Sequence, residues 1–137
     1  MWAGALSSWL TACVAGVLIS EREAKLRYLI DLSRRTEQVK VMAQPYKIAT
    51  EFARSENPRE QELAKQIIDK LNQRAKQLWA ETEKQAQKLL REGKREEAVK
   101  VYKEFAEKVA IPEWQLKALE KAISLKAQQT PHLLRLQ

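Results

Sequence analysis

Apolar and polar positions divide this chain at Ser20. From Trp2 to Ile19 there is no charged residue, no Pro and no His, whereas all 25 Lys and Arg and all 18 Asp and Glu follow Ser20. As a helix rising ~1.5 Å per residue the apolar stretch is roughly 27 Å long, against a hydrocarbon core of about 30 Å. Residues 1–20 are therefore expected to form one transmembrane helix. No Lys or Arg precedes the apolar run, and Ser20-Glu21 makes a poor cleavage site, so a retained anchor is favoured over a removed signal. Within the stretch Gly4, Ser8, Ala12 and Gly16 recur every four residues and share one helix face. Close approach of backbones through small residues drives helix association in lipid. This strip is the expected docking face for another membrane helix or a flat cofactor.

After Ser20 the pattern changes to helical amphipathicity. The helix is expected to run on through Glu21–Lys25, Glu23–Arg27 and Asp31–Arg35, acid-before-base pairs at i,i+4 worth ~0.2–0.5 kcal/mol each. Leu26, Leu29, Ile30 and Leu32 supply its apolar side. Pro45 interrupts the pattern near Ala43-Gln44, and a short helix follows with Tyr46, Ile48, Ala49, Phe52 and Ala53 on one side. Asn57 suits an N-cap and Pro58 a first helical position. From Pro58 to Glu92 the apolar positions Ala64, Ile68, Leu71, Ala75, Leu78, Ala86 and Leu89 recur at a mean spacing near 3.6, widened by Ile67, Trp79 and Leu90. One long amphipathic helix of roughly 52 Å is predicted. Gly93 fits the left-handed residue that closes it. Arg95 to Val109 is the next helix, buried through Ala98, Val99, Val101, Tyr102, Phe105, Ala106 and Val109. Pro112 begins a further helix with Trp114, Leu116, Leu119, Ala122 and Ile123 inward, and Thr130-Pro131 ends it. The expected organisation is a transmembrane helix over 1–20, a membrane-proximal helical connector over 21–57, a helical-hairpin domain over 58–130 and a tail over 131–137.

Composition agrees with a mostly helical chain: only 3 Gly and 4 Pro in 137 residues, with 31% charged residues and a net charge of +7. Arg22, Lys25, Arg27, Arg34 and Arg35 crowd the segment after the apolar run, and nothing basic precedes it. The positive-inside rule then puts the body on the cytoplasmic side of an inner or cytoplasmic-type membrane, with these five residues at the anionic lipid surface.

Trp79 to Ala110 resembles a tetratricopeptide repeat, a helix–turn–helix of about 34 residues. In that frame Ala86 and Leu89 take the small and large positions of the first helix. Gly93 takes the turn, Ala98 the small contact position and Tyr102 the aromatic after it. Thr82 and Gln85 depart from the expected Trp and Leu, Phe105 replaces a small residue, and Pro112 arrives about two positions late. The resemblance implies a helical hairpin that recruits partner segments, packed through Trp79, Ala86, Leu89, Gly93, Ala98, Tyr102, Phe105 and Trp114, with the Trp114–Lys126 helix as a cap. The fold class expected is thus all-α, one N-terminal transmembrane helix followed by a small tetratricopeptide-like domain.

Candidate chemistry is sparse. With 1 Cys and 1 His the chain offers no zinc site of ordinary type, no Cys-His pair and no haem-attachment motif. Gly93-Lys94 lacks the rest of a phosphate loop. The carboxylates sit at helical spacing beside bases, so no catalytic set, no metal site and no covalently bound cofactor are expected; pigment or lipid contact belongs to the apolar stretch. The function this points to is a non-catalytic accessory subunit of a larger membrane complex, by analogy photosynthetic or respiratory, whose partners are other membrane-protein subunits. The alternative is a membrane-tethered adaptor for assembly or translocation. Acids interleaved with the bases weigh against a nucleic-acid binder.

Overall fold

A computed structural model describes residues 20–129. Among them the fold is all-helical: α1 (Glu21–Arg35), a 3-10 turn (Thr36–Gln38), α2 (Ala43–Ala53), α3 (Pro58–Arg91), α4 (Arg95–Lys108) and α5 (Pro112–Gln129). No described helix is long and apolar enough to cross a membrane. α3 has ample length at 34 residues, but its outer face is charged throughout, which a lipid core would not accept. The transmembrane element of the expected fold, and the single-pass membrane localisation built on it, are corrected accordingly. The expected span over 1–20, with Gly4, Ser8, Ala12 and Gly16, falls on residues outside those described, save Ser20.

Ser20 is a helix start. It has extended backbone (ψ 157°), and its side chain accepts a hydrogen bond from the Glu23 amide, so α1 begins at Glu21. Asn57 caps α3 by accepting from the Arg59 amide, with Pro58 in the first turn where its missing N–H costs nothing. α2 starts at Ala43, two residues before Pro45. A Pro within the first turn removes only an amide that no carbonyl would have claimed.

α3 is the spine. Its buried residues Ala64, Ile67, Leu71, Ala75, Trp79 and Ala86 form one stripe at steps of three, four and seven. The N-terminal half of α3 packs against α1 and α2, its C-terminal half against α4, and α4 in turn against α5. The stretch 21–57 therefore contributes to the same core as the hairpin: Leu29, Leu32, Ile48, Ala49 and Phe52 are buried in one cluster with α3 and α4. The linker between the 3-10 turn and α2 ties the two halves together. Met42 is fully buried, and its amide donates to the Lys108 carbonyl at the end of α4 over 2.8 Å.

α5 corrects the sequence expectation. Ala122 is buried and Trp114 packs against the core as expected, but Leu116, Leu119 and Ile123, also expected inward, are 60%, 42% and 66% exposed, and Ala118 and Leu125 are buried beside Ala122. Small side chains let α5 lie close on α4. The Gln115 side-chain amide reaches the Ala106 carbonyl at 3.0 Å across that seam. A bulkier stripe would have held the two helices apart.

Candidate functional site

The hairpin is set by its turn. Gly93 has φ +78°. The Gly93 amide donates to the Leu90 carbonyl at 3.1 Å and the Lys94 amide to the Leu89 carbonyl at 2.8 Å, the paired bonds of a Schellman motif. Reversed there, α4 runs back along α3 and brings the aromatic residues together. Trp79 lies 5.5 Å from Tyr102 and 5.1 Å from Phe105 between ring centroids, and 6.2 Å from Trp114 of α5. Such pairs add ~0.5–1.5 kcal/mol each beyond burial. Trp114 donates its indole N–H to Asn72 at 3.2 Å. The Lys117 ammonium caps both indoles, 5.4 Å from Trp79 and 5.2 Å from Trp114. Of the residues expected to pack the hairpin, Ala86, Ala98, Tyr102, Phe105 and Trp79 are buried, and Leu89 and Trp114 lie half-buried against the core.

On the other side of the hairpin α3 and α4 leave a groove of about 270 Å³. Its floor is apolar: Leu78, Val101, Phe105 and Val109. Its rim is charged and asymmetric. Lys40, Arg74 and Lys108 gather at the end where the linker passes, and Glu81 and Glu104 stand further along. Arg74 is positioned by donating to the Val39 carbonyl at 3.1 Å. It also borders an adjoining depression that holds Arg34 and Lys70, and Lys70 donates to the Ser33 carbonyl at 3.2 Å. Sequence periodicity gave the floor residues as apolar positions of two separate helices, Leu78 on α3 and Val101, Phe105 and Val109 on α4. The basic end was not legible, because Lys40, Arg74 and Lys108 come from three elements joined only by the tertiary fold.

Of the five basic residues expected at a lipid surface, all on α1, three pair with carboxylates. Arg22 pairs with Glu60, 38 residues away. Lys25 pairs with Glu51 at 3.1 Å and Glu21 at 3.7 Å, and Arg35 with Asp31 at 2.8 Å. Arg27 and Arg34 are exposed on α1. Among the described residues Glu60 is the one charged residue drawn into the core region, 7% exposed. Hydrogen bonds from Arg22 and then from Ser55 hold its carboxyl below the usual range, and the Arg22 guanidinium also lies 5.3 Å from the Phe52 ring centroid. Burial, with the Glu83 carboxylate beside it, pushes the Tyr102 hydroxyl up to about 12. Both shifts belong to groups that hold helices together. Among the described residues no cluster of His, Cys, Asp and Glu could hold a metal ion. No family model, no curated protein and no solved structure matches the chain.

Proposed function

We propose that this chain is a non-catalytic interaction subunit of a larger protein assembly, a helical scaffold whose tetratricopeptide-like hairpin holds a partner segment along the groove between α3 and α4. The observation that carries this reading is the groove itself. It has an apolar floor that would bury a partner's side chains and a basic end that would fix the partner's direction through its carboxylates. The shifted ionisable groups serve packing, in keeping with a scaffold.

The test is mild purification of the tagged full-length chain from its source, with mass spectrometry of what remains bound. A companion in fixed stoichiometry is expected, and Leu78→Asp, at a half-buried floor position, should release it while circular dichroism shows the helices intact. A chain that purifies alone, or a companion that stays bound to the variant, would overturn the reading.

A further inference from the structure

Beside the groove, α1, the 3-10 turn and α3 enclose a recess of about 270 Å³ whose lining residues are all polar. α3 reaches it with Lys70, Gln73, Arg74 and Gln77, which share one helix face. Arg34 comes from the last turn of α1 and Glu37 from the 3-10 turn. Three cations against the single carboxylate of Glu37 leave an excess of two positive charges. Among the described residues none of these four charged groups forms an ion pair. Lys70 and Arg74 are held instead by carbonyl oxygens: Lys70 Nζ donates to Ser33 at 3.2 Å and Arg74 Nε to Val39 at 3.1 Å. These bonds orient the side chains and leave their charge uncompensated. An ammonium carries three N–H donors and a guanidinium five. One is spent on Lys70, and two on Arg74, which also donates through Nη1 to the Gln77 amide oxygen at 3.3 Å. The remaining donors, with the Gln73 and Gln77 amide NH2 groups, have no acceptor of comparable number in the lining.

We infer that this recess binds a small phosphate anion, its oxygens shared among Arg74, Lys70 and Arg34. Three properties select that ligand. The recess lies just below the ~300–1,000 Å³ of sites for drug-sized molecules, so the ligand is small. It has no apolar wall to hold a ring or a chain. A phosphate group carries about −1.5 to −2 charges at pH 7 and so meets the excess of two, where a single carboxylate leaves half of it unmet. Guanidinium and ammonium groups give phosphate short, charge-assisted hydrogen bonds. A bilayer presents a plane, which meets the exposed rim without filling the recess. Bound there, the anion would tie α1 to α3 and reinforce what the Lys70 and Arg74 carbonyl bonds begin. The inference is independent of the partner held along the groove, because Arg34 and Lys70 line the recess and not the groove.

Titration of the full-length chain with inorganic phosphate at constant ionic strength, followed by amide chemical shifts, tests it. Malonate, a dicarboxylate of similar charge, is the control. Phosphate is expected to give saturable shifts centred on residues 33–37 and 70–77, and malonate to bind at least about fivefold more weakly. Because only the folded chain builds the recess, phosphate should also raise Tm. Arg34 is exposed, so Arg34→Gln should leave the helical signal unchanged while weakening phosphate about tenfold. The double variant Arg34→Gln, Lys70→Gln should abolish saturation and the rise in Tm. Phosphatidylserine vesicles should leave bound phosphate in place. Unchanged phosphate affinity in both variants, malonate binding as tightly as phosphate, shifts spread evenly over the other Lys and Arg residues, or displacement of phosphate by the vesicles would overturn the proposal.

Discussion

Replacing Gly93 isolates a single physical cost. The residue sits at φ +78°, where an L-residue brings its Cβ against the neighbouring carbonyl oxygen at a cost of roughly 1–2 kcal/mol. Nothing else opposes a side chain there, since a Cβ built at Gly93 meets no atom within 4 Å. The penalty is therefore backbone strain with no steric contribution from the rest of the fold. Against it stands the lower entropy of an unfolded chain that has lost a glycine, about 0.4–1 kcal/mol. Gly93→Ala should then destabilise by a net ~1 kcal/mol, Gly93→Val by more because its branched Cβ tolerates the region least, and Gly93→Asn by less because Asn enters it readily. For a chain of this size each kcal/mol corresponds to roughly 3–6 °C in Tm. Urea unfolding followed by far-ultraviolet circular dichroism measures the series, and the m-value should stay constant. Identical midpoints for Gly, Asn, Ala and Val, or Asn as the worst of the four, would refute the assignment of Gly93 as the strained closing residue of α3.

Glu60 should make the fold acid-sensitive. Its folded-state carboxyl titrates below the ordinary range through Arg22 and Ser55, so the stability it contributes is present above the unfolded value near ~4.3 and is lost as pH falls through the folded one. The stability gap between the wild-type chain and Glu60→Gln should accordingly be constant from neutral pH to about 5 and shrink below about 4; a gap independent of pH would contradict the pairing. Tyr102 has the opposite sign. Its hydroxyl ionises only at about 12, so its contribution is complete below the ordinary tyrosine value near ~10 and is lost as pH rises towards the folded value. Absorbance titration at the tyrosinate band should lose its latest component in Tyr102→Phe while Tyr28, whose hydroxyl burial also raises, still titrates; an unchanged curve in that variant would place the most shifted tyrosine elsewhere.

The helical periodicity, the Asn57-Pro58 start and the Gly93 stop were all legible in the chain, and the structure places α3 within one residue of the expected end. These signals are local. A cap, a fixed proline φ or a left-handed glycine acts through the few residues beside it, so sequence alone determines it. The apolar character of each floor residue was legible for the same reason, but Leu78 of α3 meets Val101, Phe105 and Val109 of α4 only through the tertiary fold. The Arg22–Glu60 pair was not, because 38 residues separate its members and only the tertiary fold brings them together. Nor was the gathering of Lys40, Arg74 and Lys108, which depends on Met42 being pinned against the end of α4. α5 shows the difference most directly. Leu116, Leu119 and Ile123 were expected inward together with Trp114 and Ala122, yet of these three none is buried, and Ala118 and Leu125 face the core beside Ala122. Periodicity counts apolar residues on each face of a helix. Which face is covered is decided by how closely a neighbouring helix can approach, and on α5 the alanines allow the closer contact with α4.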